Sequence, residues 1–407
     1  MNNLGRFGLA AALVLALAAY RQGNQVNAAG GPSEAANGSY RVLAPIESGN
    51  LLLFPVVRAD SKSGNPGETP FITLDEGIKS GEVEVTEAGR VQGLVRPRRT
   101  VPPQFHEDRN GGDQVNTLVL VNNSKRPLLL LAGEIVTGGK QDRVIAKDRI
   151  VPVGADPIDL SVFCIEPGRW TESSPTFGAA AKAPAHGFMV QPTVRERAMV
   201  EKDQQQVWDS VHGAISTMEM AASPPASSPR SGGGSSYDVA GSRALGTTSY
   251  AKAMESDAIS EKVDEAAAPV TKARDQVLAQ LRQQHAVGVI VAVRGEIVWA
   301  DLFANTELLS RYWTKLVRSY AAESLSAGDT HAAPSVADAQ HFLDAPAGGT
   351  ETSEGDVGVY RYRELKSGNT ETFVLESLLS GSGYDVHISK MKLITSERRT
   401  KQPQIYR

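Results

Sequence analysis

PLLLLAGEIVTGGKQDRVIAKDRIVPVGADPIDLSVFCIEPGRW, residues Pro127–Trp170, is the stretch that decides the fold. Several short apolar runs rich in Leu, Ile and Val alternate in it with polar, Pro and Gly breaks. Short strands at such close spacing favour an antiparallel sandwich or a partly closed barrel over a parallel sheet. The sequence therefore predicts an α+β protein, with a β-rich N-terminal unit (a sandwich or a partly closed barrel) and a helical plus β-hairpin C-terminal unit.

The N-terminal side of this stretch carries further strand patterns. Leu51–Val57 reads as a strand interrupted by Pro55, and residues 82–86 (EVEVT) alternate with the period of a half-exposed strand. Between them, Thr73 precedes acidic residues and predicts a short helix that stops at Gly81. Residues 115–123 and 128–136, joined by a polar turn at 124–127, predict a β-hairpin.

The C-terminal side is dominated by helices and one hairpin. We expect helices over 194–220 and 256–284 (with a break at Pro269), a hairpin over 287–300, and a helix capped by Asn305. That last helix has a buried face and a solvent face at helical period. The predicted buried face is Leu308, Leu309, Tyr312, Trp313, Leu316, Val317 and Tyr320, and the predicted solvent face is Glu307, Arg311, Lys315 and Arg318. A helix over 335–343, a Gly-rich loop over 348–355 and three strands near 356–364, 371–379 and 384–394 complete the pattern.

The predicted organisation follows these shifts in composition. It consists of a signal peptide (1–28), a disordered mature N-terminus (29–41), the β-rich unit (42–192), a helix (193–221), a Ser/Gly/Pro low-complexity linker or insertion (222–250), an α+β unit completing the same domain (251–395) and a tail (396–407).

The N-terminus predicts export to a periplasm or beyond. Residues 7–19 (FGLAAALVLALAA) form an apolar run too short to span a bilayer and typical of a signal-peptide core, with cleavage after Ala28 or nearer Ala18. Tyr20 stands where a lipoprotein would need Cys. No other segment reaches membrane-spanning length. Cys164 is the only cysteine, so no intramolecular disulfide can form, and its apolar neighbours indicate a buried strand thiol.

Charge and motif spacing exclude several function classes. The 407-residue chain has a net charge of −4 and a pI near 6.0, which gives no electrostatic case for nucleic acid. The seven histidines lack the spacing of a metal site, and Walker, GxSxG and GxGxxG motifs are missing. We therefore expect no metal and no cofactor.

Three blocks together resemble one known family: residues 128–145 (LLLLAGEIVTGGKQDRVI), 159–170 (DLSVFCIEPGRW) and 288–325. The third block reads GVIVAVRGEIVWADLFANTELLSRYWTKLVRSYAAESL. The blocks resemble the ARG and rhodanese–phosphatase superfamily-associated protein domain, over about residues 42–395. The resemblance implies no established activity and no catalytic residues, because the family is named for the genes it accompanies.

The loop after LLLLAGEIVT holds the best candidate ligand contacts. Gly138 and Gly139 permit close backbone approach, Lys140 and Arg143 can hold an anionic or carbonyl group, and Gln141 offers amide hydrogen bonds. A purely structural polar hairpin loop is the alternative interpretation. Arg169 and Trp170 could stack on a sugar or base, or Trp170 could plug the end of a strand.

Glu134 and Glu166 each end an apolar run and are candidates for an acid/base pair. Each could instead pair with an arginine such as Arg143, Arg149 or Arg169. The sequence predicts a non-catalytic domain that binds an unknown ligand or protein through the polar surface near 138–143. The alternative is a metal-independent hydrolase of a glycosidic or phosphate-bearing substrate that uses the two glutamates.

Overall fold

The computed structural model describes residues 39–59, 71–87, 117–169, 172–178, 187–223, 246–271, 274–326, 328–380 and 383–393. The predicted signal peptide, the tail at 396–407 and Trp170 lie outside these residues, as does most of the predicted insertion. The described residues belong to one compact unit. They confirm the α+β class and the barrel, which is fully closed. Of the described helices, none has the length and hydropathy needed to cross a membrane.

A nine-stranded antiparallel sheet forms one half of the fold. Its order is β1-β3-β13-β14-β18-β17-β16-β15, with β2 also paired to β3. The strands are β1 Tyr40–Val42, β2 Ile46–Ser48, β3 Leu51–Arg58, β13 Ala286–Val293, β14 Glu296–Phe303, β15 Thr350–Asp356, β16 Tyr360–Ser367, β17 Thr370–Ser377 and β18 Tyr384–Lys392. The predicted hairpin is thus confirmed as β13–β14. Residues 42–58, expected in the β-rich N-terminal unit, lie in this sheet instead.

Strand β3 continues through Pro55, where an interruption was predicted. The strand pairs with β13 along one side and with β1 and β2 on the other. The Pro55 carbonyl accepts a hydrogen bond from the Leu43 amide (2.8 Å), in the gap between β1 and β2. The proline nitrogen, which has no hydrogen to donate, lies on the same side of the strand as that carbonyl. Proline is tolerated here because the ladder is already broken at this point.

The stretch 127–170 builds most of a closed six-stranded barrel, in the order β11-β6-β5-β12-β8-β9. Its strands are β5 Val83–Glu87, β6 Thr117–Asn122, β8 Ile135–Gly138, β9 Arg143–Ile145, β11 Ile158–Cys164 and β12 Thr176–Gly178. Residues opposite one another in this register share a face, and that face carries the separate apolar cluster of Val85, Leu118, Leu120, Val136, Ile145, Leu160, Val162 and Phe177. These residues fill the interior.

The hairpin predicted over 115–136 is wrong. Strand β7 (Leu128–Leu130) leaves the barrel and pairs with β10 (Arg149–Val151) and, in parallel, with β4 (Ile72–Thr73). The polar turn redirects the chain. The Asn122 amide donates to the carbonyls of Arg126 and Val151, and Ser124 bonds both Asn122 and Arg126. A turn satisfied by these side chains does not need the two strands to pair.

The helices are α1 Leu74–Ser80, α2 Pro192–Glu196, α3 Gln204–Ala222, α4 Tyr250–Glu255, α5 Asp257–Ala266, α6 Ala268–Thr271, α7 Arg274–Gln283, α8 Thr306–Ser324 and α9 Val336–Asp344. The apolar cluster on one face of the large sheet includes residues of most helices, whereas α9 covers the other face and α1 packs against β4, β5 and β7. The predicted caps Thr73 and Asn305 and the predicted stop at Gly81 are confirmed, and the structure adds Ser335 as the N-cap of α9. So is the predicted apolar face of α8, which is buried throughout.

Four sequence-based boundaries need correction. The helix predicted over 194–220 is broken, because α2 continues as a π-helical turn (Arg197–Glu201) and Lys202 takes a left-handed conformation. Residues 350–356, predicted within a Gly-rich loop, form the exposed edge strand β15. Tyr40, assigned to the predicted disordered terminus 29–41, lies in β1. Tyr250, assigned to the insertion, is fully buried at the start of α4.

Candidate functional site

The polar end of the barrel follows from strand direction. Strands β5, β8 and β11 point in the same direction along the barrel axis. Their last residues, Glu87, Gly138 and Cys164, therefore meet at one end of the barrel. Strand β9 begins there with Arg143, which is directly opposite Cys164 in the register. Glu87 and Arg143 are both buried, and their charged groups are 3.5 Å apart. The barrel therefore changes from an apolar interior to a charged one at this end.

The loop between β8 and β9 lies at this end. It was predicted as a polar surface, but it is buried except for Lys140, which is partly exposed. The Lys140 amide donates to Glu87 Oε1 (3.0 Å), and the Gly138 amide donates to Asp142 Oδ1 (3.1 Å). Gly138 and Gly139 have φ of 128° and 51°, and a Cβ at Gly139 would clash with the Phe177 ring and the Glu87 carboxylate. The two glycines are thus required by the backbone and by packing.

A second set of charges holds the loop from outside. Arg169 contacts Glu166 Oε2 at 2.5 Å and Asp142 Oδ1 at 3.4 Å, and it donates to the Gly139 carbonyl. Glu166 also bonds Lys252 (3.1 Å), and its pKa is lowered because these cations outweigh its burial. Burial raises the pKa of Asp142, although Ser249 donates a hydrogen bond of 2.6 Å to its Oδ2. We call Glu87, Gln141, Asp142, Arg143, Glu166 and Arg169 the barrel-end cluster.

Gln141 is the exception in this cluster. Its side chain is fully buried, yet within the described structure neither its amide nitrogen nor its amide oxygen has a hydrogen-bond partner. Glu87 Oε2 is also buried and has no hydrogen-bond partner among the described residues. An unmade hydrogen bond on a buried polar atom costs about 1–3 kcal/mol. Such atoms are uncommon in folded proteins and need a physical explanation.

Cys164 lies beside these residues, as a buried free thiol. Burial raises its pKa to about 11, despite the nearby positive charge of Arg143. A thiol of this kind is protonated at neutral pH and is a poor nucleophile. The structure confirms the sequence-based interpretation of Cys164 as a buried strand residue.

Glu134 lies in a different cluster. Its Oε1 accepts a hydrogen bond of 2.6 Å from Lys315 of α8, and its Oε2 accepts one of 2.7 Å from the Leu131 amide. Lys315 also binds Asp75 of α1, and burial raises the pKa of Glu134 against the opposing effect of Lys315. Lys315 was predicted on the solvent face of α8, but it is 1% exposed. Arg318, predicted there too, is buried and paired with Asp264.

The structure therefore does not join the two candidate glutamates in one site. Glu134 is bound by Lys315, whereas Glu166 is bound by Arg169 and Lys252. Pairing with an arginine was the alternative predicted for each glutamate from the sequence. Glu166 is paired with an arginine, whereas the partner of Glu134 is a lysine. No cation is shared between them in the ion pairs of the described residues. An acid/base pair would need both carboxyls on one substrate bond.

A third cluster was missed by the sequence analysis. His387 Nδ1 lies 2.6 Å from Asp148 Oδ2, and His387 Nε2 lies 3.1 Å from Asp301 Oδ1. Asp301 Oδ2 accepts from Arg195 (2.9 Å) and from Tyr320, while the Ala132 amide donates to Asp148 Oδ1. We call Asp148, His387, Asp301 and Arg195 the sheet network. The available signal was Asp301 within the apolar strand EIVWADLF.

The charges of the sheet network compensate one another, although Arg195 Nε has no hydrogen-bond partner in the described structure. Burial disfavours a charged His387, but Asp148 and Asp301 together raise its pKa to about 9. Burial likewise opposes the Asp301 carboxylate, yet Arg195 and His387 hold its pKa well below the usual range. All three acidic and imidazole side chains are fully buried. The described residues contain no group of three or more His, Cys, Asp or Glu side chains arranged to hold a metal ion.

Comparison with known proteins places the chain in a family. The model of the ARG and Rhodanese-Phosphatase-superfamily-associated Protein domain matches residues 39–391, so the chain belongs to that family. This confirms the resemblance carried by the three sequence blocks. No curated protein and no solved structure matches the chain.

Proposed function

We propose that this member of the ARG and Rhodanese-Phosphatase-superfamily-associated Protein domain family is an exported, non-catalytic domain that binds a small ligand at the barrel-end cluster. The observation that carries the proposal is Gln141, a fully buried amide with neither hydrogen-bonding atom paired among the described residues. Its loop is held rigidly by Glu87, Asp142 and Arg169, which is the preorganisation that a binding site needs.

The chemistry around the site supports binding over catalysis. Burial raises the pKa of Cys164 to about 11 and keeps it a thiol at neutral pH, and Glu166 is engaged by two cations. Glu134, the other candidate acid, belongs to the Lys315 cluster. A general acid or base needs a free proton position directed at substrate. The carboxylates here serve instead to hold the loop.

The binding proposal is tested by a thermal-shift screen of the mature protein with nucleotides, sugars, amides and metal ions. A ligand that binds the folded state raises the melting temperature by mass action. We expect at least one compound to do so in the unaltered protein and in Gln204→Leu, but not in Gln141→Leu. A screen without any stabilising compound would refute the binding proposal. So would a ligand whose effect survives both Gln141→Leu and Lys140→Ala.

Export rests on the apolar run at 7–19 and the small residues before position 29. We expect expression of the whole chain in a bacterium with a periplasm to give a shortened protein in that compartment. Mass spectrometry should place its N-terminus at Ala29, or nearer residue 19. A full-length product confined to the cytoplasm would contradict this.

A further inference from the structure

We propose that strand β15 is a self-association surface, through which two copies of this chain pair edge to edge into a symmetric dimer. The large sheet ends in β1 on one side and in β15 on the other. Three features lead to the inference: the contrast between these two edges, the direction of the backbone groups of β15, and the order of its side chains.

The β1 edge is short, and a side chain occupies its outward backbone groups. Gln340 of α9 accepts a hydrogen bond from the Val42 amide (2.9 Å) and donates one to the Tyr40 carbonyl (3.2 Å), as a neighbouring strand would. Proteins protect sheet edges by covering them, by keeping them short, or with lysine, proline or a bulge. The β1 edge is therefore already engaged within the chain.

Strand β15 carries none of these protective features. Its seven residues, TETSEGD, include no lysine and no proline, and they pair with β16 without a bulge. Strand β16 is its only partner among the described strands. Six of the seven residues are exposed. An exposed edge of this length is a template on which another strand can pair.

The hydrogen bonds of the neighbouring strands show which backbone groups of β15 point outward. Just before β16, the Val359 carbonyl accepts a hydrogen bond from the Leu378 amide, on the β17 side. Every second residue from Val359 onward therefore bonds β17, and the residues between them bond β15. Their partners in β15 are Thr350, Thr352, Glu354 and Asp356. The N–H and C=O groups that point away from the sheet are consequently those of Glu351, Ser353 and Gly355.

The order of side chains in β15 fits a second copy in antiparallel register. All seven residues pair when Ser353 lies opposite Ser353 of the second copy; the other pairs are Thr350–Asp356, Glu351–Gly355 and Thr352–Glu354. Every acidic residue then faces a threonine or a glycine, and the three outward-facing residues pair with one another. A shift by two residues either sets Glu354 against Glu354 or leaves two residues of each strand unpaired.

The acidic charges of β15 do not oppose this pairing. Two of them are held by ion pairs within each chain, Glu354 with Lys147 (2.8 Å) and Asp356 with Arg149 (3.3 Å). Glu351 lies on the opposite face of the sheet, beside Gly355 of the second copy. Arg361 is opposite Gly355 in the hairpin and is 46% exposed. Since glycine has no side chain, nothing at that position separates Glu351 from Arg361 of the second copy.

Two-fold pairing closes the assembly. The two large sheets become one continuous sheet whose outer edges are both β1, and each of these is occupied by Gln340. A third copy then finds no open edge on this sheet among the described strands, which distinguishes a closed dimer from a growing fibre. Because contact between two strands buries little surface, we expect the dimer to be weak and to depend on protein concentration.

Analytical ultracentrifugation of the purified protein over a range of concentrations tests the dimer. We expect a monomer–dimer equilibrium without larger species. Ser353→Pro removes an outward N–H that β16 does not use, and it should abolish dimerisation. Ser353→Ala keeps that N–H and should leave the dissociation constant unchanged, with melting temperatures checking that both variants fold. An unaltered protein that stays monomeric at every concentration, or a dimer that survives Ser353→Pro, would overturn the proposal.

A charge exchange tests the register without altering the backbone. Only the central residue lies opposite itself, so Ser353→Lys and Ser353→Glu each set like charges face to face and should weaken the dimer about fivefold. Mixing the two variants should restore association, since each lysine then faces a glutamate. Ser353 is exposed, so both variants should fold normally. If the mixture associates no better than either variant alone, the two-fold pairing about Ser353 is wrong.

Discussion

The sheet network and the barrel-end cluster are two buried sets of charges that differ in how far the polar atoms of their carboxylate, imidazole and amide groups are paired. In the sheet network, every carboxylate oxygen of Asp148 and Asp301 and both ring nitrogens of His387 have partners. In the barrel-end cluster, Gln141 and one oxygen of Glu87 lack them among the described residues. A network whose carboxylates and imidazole are all paired contributes rigidity and a unique core arrangement. A cluster with unpaired buried atoms is less stable at that position, and a bound ligand can supply the missing hydrogen bonds.

Removing a charge from the sheet network should have the largest effect. Asp301→Asn leaves Arg195 and His387 without their shared carboxylate, which we expect to destabilise the fold by about 3–5 kcal/mol. Chemical denaturation measures the loss. Glu354→Gln is the control, since its pair with Lys147 is exposed and should change stability by less than about 1 kcal/mol. Equal effects of the two variants would contradict the contrast.

Substituting Lys315 should cause the next largest loss of stability. Lys315→Met keeps the side chain's length but leaves Asp75 and Glu134 without their cation, and we expect a loss of about 3 kcal/mol. The double variant Lys315→Met with Glu134→Gln should recover part of this loss, because one of the two uncompensated carboxylates is then neutral. Denaturant unfolding of the two proteins tests the pairing. Absence of any recovery would show that Lys315 acts only through packing.

The sheet network should also impose a pH dependence. The pKa of His387 is about 9 in the folded protein and about 6.5 when unfolded, so the folded state binds more protons between these values. Its contribution is complete below pH 6.5 and is lost as the pH rises through 9. Relative to His387→Gln, the unaltered protein should lose about 2 kcal/mol between pH 7 and 9.

Measuring the pH effect as a difference removes other contributions. The pKa of Lys390 is lowered to about 8 by burial, so its contribution rises with pH from about 8 to 10.5, opposite to that of His387. Since both proteins retain Lys390, that contribution cancels. Parallel stability curves for the two proteins would show that His387 has no raised pKa.

The smallest expected effects on stability are those of substituting two buried glutamines, one paired and one unpaired. Gln204 bonds the backbone of Cys164 through both amide atoms, each at 2.9 Å, so Gln204→Leu should destabilise by about 1 kcal/mol. Gln141→Leu removes two unpaired buried atoms and should leave stability unchanged or raise it by about 1 kcal/mol in the absence of ligand. Destabilisation by both substitutions would indicate that Gln141 is already satisfied.

The sequence predicted local structure better than it predicted which parts of the chain meet. Helix caps such as Thr73 and Asn305, and the apolar face of α8, depend on neighbouring residues and were correctly placed. Two predictions failed because they depend on partners distant in sequence. One placed Lys315 on the solvent face of α8, and the other paired β6 with β7 in a hairpin. Lys315 is buried only because Asp75 and Glu134 arrive beside it. Charge type alone does not reveal such a partner.

The candidate site shows the same limit. The residues of the loop at 138–143 were identified from composition, but their burial results from barrel closure, which brings Glu87 from a separate strand. Glu87 and Asp142 were not among the predicted site residues, and the sheet network joins side chains up to 239 positions apart. Periodicity detects which face of a strand is buried, but it carries no information about pairing across such distances.

The position of β3 has a consequence for how the chain folds. Strand β3 lies between β1/β2 and β13, so residues 51–57 pair with residues 286–293. Until some 290 residues have been synthesised, one edge of this apolar strand has no partner. Contacts this distant in sequence are slow to form, since a long loop must be closed first. The large sheet is therefore completed late, and a nascent chain halted before β13 presents an unpaired apolar strand that favours association with other chains.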